Sequence, residues 1–61
     1  MTKSESREVA LCIKYSAAGL GPDYLARALS ALYRAASAKS QREIFALADD
    51  MGVINNPEFI I

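Results

Sequence analysis

Apolar side chains recur at helical spacing in three stretches of the chain. In the first, Val9, Cys12, Ile13 and Ser16 fall on one stripe at i, i+3, i+4 and i+7, and Leu11, Tyr15 and Ala18 form a second stripe on another face. The pattern predicts a helix over roughly residues 5–18, preceded by a frayed stretch in which Thr2 and Glu5 have capping-box spacing. One stripe suffices for a helix that faces one core, so two imply a helix with two apolar neighbours.

The segment Gly19-Leu20-Gly21-Pro22-Asp23 breaks this pattern. Gly19 suits the left-handed position after a helix, and Leu20 can supply the apolar contact that accompanies it. Gly21 is read as an N-cap, Pro22 as the first helical position and Asp23 as a favourable first-turn acid. So short a connection folds the next helix back on the first as an αα-hairpin.

The second helix is predicted over roughly residues 22–37. Leu25, Leu29, Leu32 and Ala36 form a stripe of larger residues beside a smaller one of Tyr24, Ala28, Ala31 and Ala35. Polar residues are confined to a narrow strip, Asp23, Arg27, Ser30, Arg34 and Ser37. A helix apolar over most of its circumference is central, with neighbours on several sides.

Ser40 and Glu43 have capping-box spacing ahead of a third apolar run, which predicts a helix over roughly residues 41–51. Ile44, Leu47, Ala48 and Met51 face inward in this reading, Phe45 lies at the edge, and Arg42, Glu43, Ala46, Asp49 and Asp50 face out. Gly52 ends the helix. No glycine or proline separates the second and third helices, so one long bent helix is the alternative. Over residues 53–61, Asn55-Asn56-Pro57 reads as a turn. Burying a side chain such as Phe59 or Ile60 is worth about 1.5–3 kcal/mol, so this tail is expected to dock on its own core or on a partner subunit.

The expected fold is therefore all-α: one domain over residues 1–61, a small three-helix unit of αα-hairpin plus third helix with a docked apolar tail. Length then changes the picture. A chain of 61 residues buries only ~60% of its unfolded surface and is marginal alone. Cys12 is the single cysteine and there is no histidine, so neither a disulfide nor a structural zinc site offers support. Association is the remaining remedy, and a homo-oligomer, a dimer first, is expected. The faces left over nominate Leu11, Tyr15, Tyr24, Ala28, Ala31, Ala35 and Phe59 as its interface.

Formal charge is zero but unevenly spread: residues 1–21 carry net +1, residues 22–42 net +3 and residues 43–61 net −4. A basic middle and an acidic end attract one another, within a chain or between chains. Arg27, Arg34, Lys39 and Arg42 are the candidate phosphate contacts should the chain bind nucleic acid. Zero net charge and the ordinary solvation of a polar strip weigh against that. Asp49 and Asp50 oppose the dipole of the helix they end, and read either as a solvated face or as an acidic patch that meets Arg27, Arg34 or Arg42. Cys12 has the spacing of a buried core thiol, with no histidine to activate it. Tyr15, Tyr24 and Tyr33 read as packing residues with hydrogen-bonded hydroxyls.

Leu47-Ala48 followed by Gly52-Val53 resembles the first helix and turn of a helix-turn-helix, and Pro22 to Leu29 resembles a helix that precedes that motif in small antitoxin-type repressors. After Val53, however, Glu58 stands where a recognition helix needs an apolar residue, and Pro57 interrupts, so no family is assigned. No catalytic constellation, phosphate loop or cofactor motif is present, and no enzyme, metal or cofactor is expected. Nor is there a run of ~18 apolar residues, and the lone cysteine fits a reducing cytoplasm. The leading expectation is a cytoplasmic, homo-oligomeric protein–protein interaction module. The alternative is a small DNA-binding regulator or antitoxin-like accessory using the Arg27/Arg34 face.

Overall fold

The computed structural model describes residues 1–61 and is all-α, without strands. Its helices are α1 (Lys3–Tyr15), α2 (Gly21–Ala35) and α3 (Ala38–Asp50). A π-helical turn, Ser16–Leu20, carries the hydrogen bonding across from α1 to α2. By hydrogen bonding alone the chain thus has two helical runs, residues 3–35 and α3, which corrects the expectation of a loop between the first two helices. A straight helix of that first length would reach about 50 Å, yet the longest dimension of the molecule is 28 Å. The run is bent at Gly19, whose φ of 135° lies outside any helical region. Gly21 follows at φ 83° and ψ −179°. Ser16 closes the corner twice: its carbonyl accepts from the Gly21 N–H, and its hydroxyl donates to the Gly21 carbonyl at 2.9 Å. The Leu20 side chain is 60% exposed, contrary to the apolar contact expected of it.

The start of α1 is not frayed. Thr2 is the N-cap of a complete capping box: its hydroxyl accepts from the Glu5 N–H at 3.1 Å, and Glu5 Oε1 accepts from the Thr2 N–H at 2.8 Å. The same carboxylate oxygen accepts from the buried Ser40 hydroxyl at 2.8 Å, tying the start of α1 to the start of α3. Ser40 is therefore not the N-cap of α3. That position belongs to Ser37, three residues earlier, whose hydroxyl accepts from the Ser40 N–H at 3.4 Å. Accordingly α2 stops at Ala35 rather than Ser37. Gln41 Nε2 donates back to the Tyr33 carbonyl at 2.9 Å and satisfies the last turn of α2.

Gly52, at φ 74°, ends α3 as expected. Its N–H donates to the Asp49 carbonyl and the Val53 N–H to the Ala48 carbonyl, both at 3.0 Å, which is the Schellman pattern. Val53, 3% exposed, supplies the apolar contact that goes with it. Met51, expected to face inward, is exposed.

The core consists of Val9 and Cys12 from α1, Leu25, Ala26 and Leu29 from α2, Ile44 and Ala48 from α3, and Val53. Leu29 and Ile44 are wholly buried. The central position expected for the second helix holds, since α1 and α3 both pack on α2.

Candidate functional site

The polar strip of α2 does not simply face water. Residues 56–60 run along it, in the same direction as the helix, and engage it at each step. Asn56 Nδ2 donates to Asp23 Oδ1 at 2.8 Å. Arg27 Nη2 donates to Glu58 Oε1 at 3.0 Å. The Ser30 hydroxyl accepts from the Ile60 N–H at 2.9 Å and donates to the Ala26 carbonyl at 2.7 Å, with the Glu58 carbonyl 3.3 Å away. Arg34 Nη1 donates to the Ile60 carbonyl at 2.7 Å. Asn56 sets the tail's path, its Oδ1 accepting from the Glu58 N–H at 2.8 Å while its carbonyl accepts from the Phe59 N–H at 2.9 Å. The tail therefore docks on its own chain, and Ser30, read from the sequence as part of a solvated face, is 2% exposed. The attraction expected between the basic middle and the acidic end is realised within the chain at Arg27 and Glu58.

This arrangement divides the candidate nucleic-acid residues. Arg27 and Arg34 are both engaged by the tail, although both remain exposed. Lys39 and Arg42 are exposed on α3.

The nominated interface is divided too. Helical register places Tyr24, Ala28, Ala31 and Ala35 on one side of α2, away from the tail. Ala31 and Ala35 are exposed, Tyr24 and Ala28 half-buried. Tyr15 of α1 adjoins this side, and Leu11, half-buried, shares the Tyr15 stripe of α1. The link is Tyr24, whose hydroxyl is pushed up in pKa first by desolvation and then by Cys12, Tyr15 and Glu8 of α1. Cys12 is likewise pushed up, first by burial and then by Glu8, which keeps it a thiol and a poor nucleophile. Phe59 lies elsewhere: it packs against the core with the tail, its ring 6.2 Å from that of Phe45.

Phe45 belongs to a surface that sequence reasoning missed. Its ring stands 6.4 Å from Tyr33, tilted, so Tyr33, Phe45 and Phe59 form an aromatic row. Beside them opens a groove of about 500 Å³, lined by Tyr33, Gln41, Arg42, Phe45, Ala46 and Asp49. Arg42 and Asp49 stand one on each side of Phe45 along α3, and neither is paired: the two ion pairs of the chain are Arg27 with Glu58 and the Met1 ammonium with Glu43. The exposed apolar side chains of the tail, Ile60 and Ile61, add to the uncovered surface. Periodicity had placed Phe45 at an edge. The spacing of Ala38, Arg42, Phe45 and Asp49, at four, three and four, was the signal that these residues share a face.

No three Cys, Asp or Glu side chains converge in the way a metal site requires. No helix is long and apolar enough to cross a membrane. Comparison with protein-family models, with curated proteins and with solved structures finds no match for this chain.

Proposed function

We propose that this chain is a small helical module that works by binding other protein surfaces, its own copies first. The observation that carries the proposal is the mismatch between core and surface. Ten of 61 residues are buried, while Tyr15, Leu20, Phe45, Met51, Ile60 and Ile61 are large apolar side chains left exposed. Two surfaces are available to a partner: the α1–α2 side bearing Leu11, Tyr15, Tyr24, Ala28, Ala31 and Ala35, and the groove on α3. Alanines on the first let another backbone approach closely, and aromatic rings beside the second supply the anchors typical of interfaces.

Sedimentation or light scattering across micromolar concentrations tests the proposal, with a multiple of the chain mass expected. A single-chain mass together with a cooperative unfolding transition would overturn it. The alternative of a DNA-binding regulator draws less support, because Arg27 and Arg34 already serve the tail. Salt-dependent retention of duplex DNA that is lost in Arg27→Glu and Arg34→Glu would restore it.

A further inference from the structure

We infer that α3 is the two-fold contact of a homodimer. Two copies lay their α3 helices antiparallel with Phe45 at the axis, Arg42 of each chain meeting Asp49 of the partner subunit. The inference rests on the self-association proposed above and assigns it a face and a geometry.

Four observations converge on this face. Ala38, Arg42, Phe45 and Asp49 are all exposed, and their spacing puts them on one stripe, with Ala46 beside it. Arg42, Phe45 and Asp49 of the stripe line the open groove together with Ala46, so an apolar ring and an alanine are already shaped to receive a second helix. The charges are self-complementary: the midpoint between positions 42 and 49 falls between Phe45 and Ala46. A two-fold axis through that point brings each arginine onto the partner's Asp49, and no other ion pair has to break, because neither side chain has a partner within its own chain.

The fourth observation concerns the helix dipole. Lys39 and Arg42 lie in the N-terminal half of α3, and Asp49 and Asp50 form its last turn. Each charge sits toward the end of the helix that repels it. In an antiparallel pair the basic half of one helix lies beside the C-terminal half of the other, and the acidic end beside an N-terminal half. Charges that oppose their own dipole are then matched to the partner's. The α1–α2 side remains free for a further contact.

The test uses the whole chain and three variants: Arg42→Asp, Asp49→Arg, and both together. By symmetry each single reversal sets two like-charge contacts across the axis. Such contacts are expected to weaken dimerisation by about tenfold or more in sedimentation equilibrium. Helical circular dichroism should stay unchanged, since neither side chain has an intrachain ion pair. The double variant should dimerise again, and an equimolar mixture of the two single variants should form a heterodimer. Raising the salt concentration should weaken the wild-type dimer and strengthen the self-association of each single variant. A dimer indifferent to both single reversals, or a double variant that does not recover, overturns the α3 geometry while self-association stands. A wild-type chain that is monomeric up to millimolar concentration overturns both, and leaves the groove to a different protein chain.

Discussion

Ser30 holds Ile60: its hydroxyl accepts the Ile60 N–H at 2.9 Å while it donates to the Ala26 carbonyl one helical turn earlier. A single buried oxygen thus joins the middle of α2 to a tail residue whose own side chain is 62% exposed. Removing that oxygen in Ser30→Ala leaves the Ile60 N–H without its acceptor. The expected loss is about 1–2 kcal/mol, or a fall in Tm of about 4–8 °C for each kcal/mol in a domain of this size. Amide exchange at Ile60 should accelerate more than exchange at Leu29 or Ile44, because the tail is released before the core opens.

Arg27 and Glu58 lie beside the same strap but at its wet edge, with 65% of the arginine side chain exposed. A double-mutant cycle with Arg27→Ala and Glu58→Ala is expected to yield about 1 kcal/mol of coupling or less, decreasing with salt. A coupling larger than the effect of Ser30→Ala would place the strength of the strap in charge rather than in the buried hydrogen bond.

Leu29 is wholly buried where α1 and α3 both lean on α2. Leu29→Ala is expected to cost about 2–5 kcal/mol, comparable with the ~3–5 kcal/mol that the core of so small a domain supplies. The variant should be largely unfolded by circular dichroism at ambient temperature. Leu20→Ala, at the exposed corner, should stay within about 0.5 kcal/mol of wild type.

Glycine matters differently at two of the bends. A methyl group added at Gly19 or Gly52 would meet nothing within 4 Å, so only the backbone conformation is at issue. Gly52, at φ 74°, sits in the left-handed region, where alanine costs about 1–2 kcal/mol. Gly19, at φ 135°, lies beyond that region. Gly19→Ala should therefore lower Tm more than Gly52→Ala, and chemical denaturation of the two variants side by side checks the order.

Glu5 gives the fold a pH dependence. Its carboxyl is held below the usual carboxylate range, first by the Thr2 N–H and then by the Ser40 hydroxyl, with desolvation opposing. Because the folded value is depressed, this contribution is fully present above the ordinary value near 4.5 and is lost as pH falls through the lower folded value. Wild type should exceed Glu5→Gln in Tm at neutral pH, and the gap should close on acidification. A gap that widens toward low pH would reverse the assigned sign.

Much of this architecture is legible in the residues. Gly19 and Gly52 announce the bend and the end of α3, because only a residue without Cβ takes those φ values cheaply. Asn56 announces its turn through a side chain that mimics a backbone carbonyl. The partners of polar groups are not legible in the same way. Periodicity marks Asp23, Arg27, Ser30 and Arg34 as one polar strip, but polarity is the same whether water or a second segment satisfies it. Ser40 shows the same blindness: its spacing to Glu43 imitates a cap, while its hydroxyl is drawn to Glu5, 35 positions away in sequence. Ser37, a serine among small residues, carries no mark that sets it apart as the real cap. The α3 groove is not legible either, because an outward-facing Arg42, Ala46 and Asp49 look like ordinary surface until Tyr33 and Phe59 are brought beside Phe45.

The strap also has a length requirement. From Asp23 to Arg34 the helix advances about 16 Å, and residues 56–60 follow it by way of a turn, closed where the Phe59 N–H donates to the Asn56 carbonyl at 2.9 Å. That turn sets which tail groups meet the helix: Asn56 at Asp23, Glu58 at Arg27, and the Ile60 backbone at Ser30 and Arg34. One residue inserted or deleted between Val53 and Glu58 would move the Asn56 turn relative to Arg27, Ser30 and Arg34 and disturb all of these contacts at once. Homologues of this chain are expected to vary in length at the Ala17–Leu20 corner and to keep a constant count between Gly52 and Ile60, so that gap placement in an alignment becomes a test of whether the strap is shared.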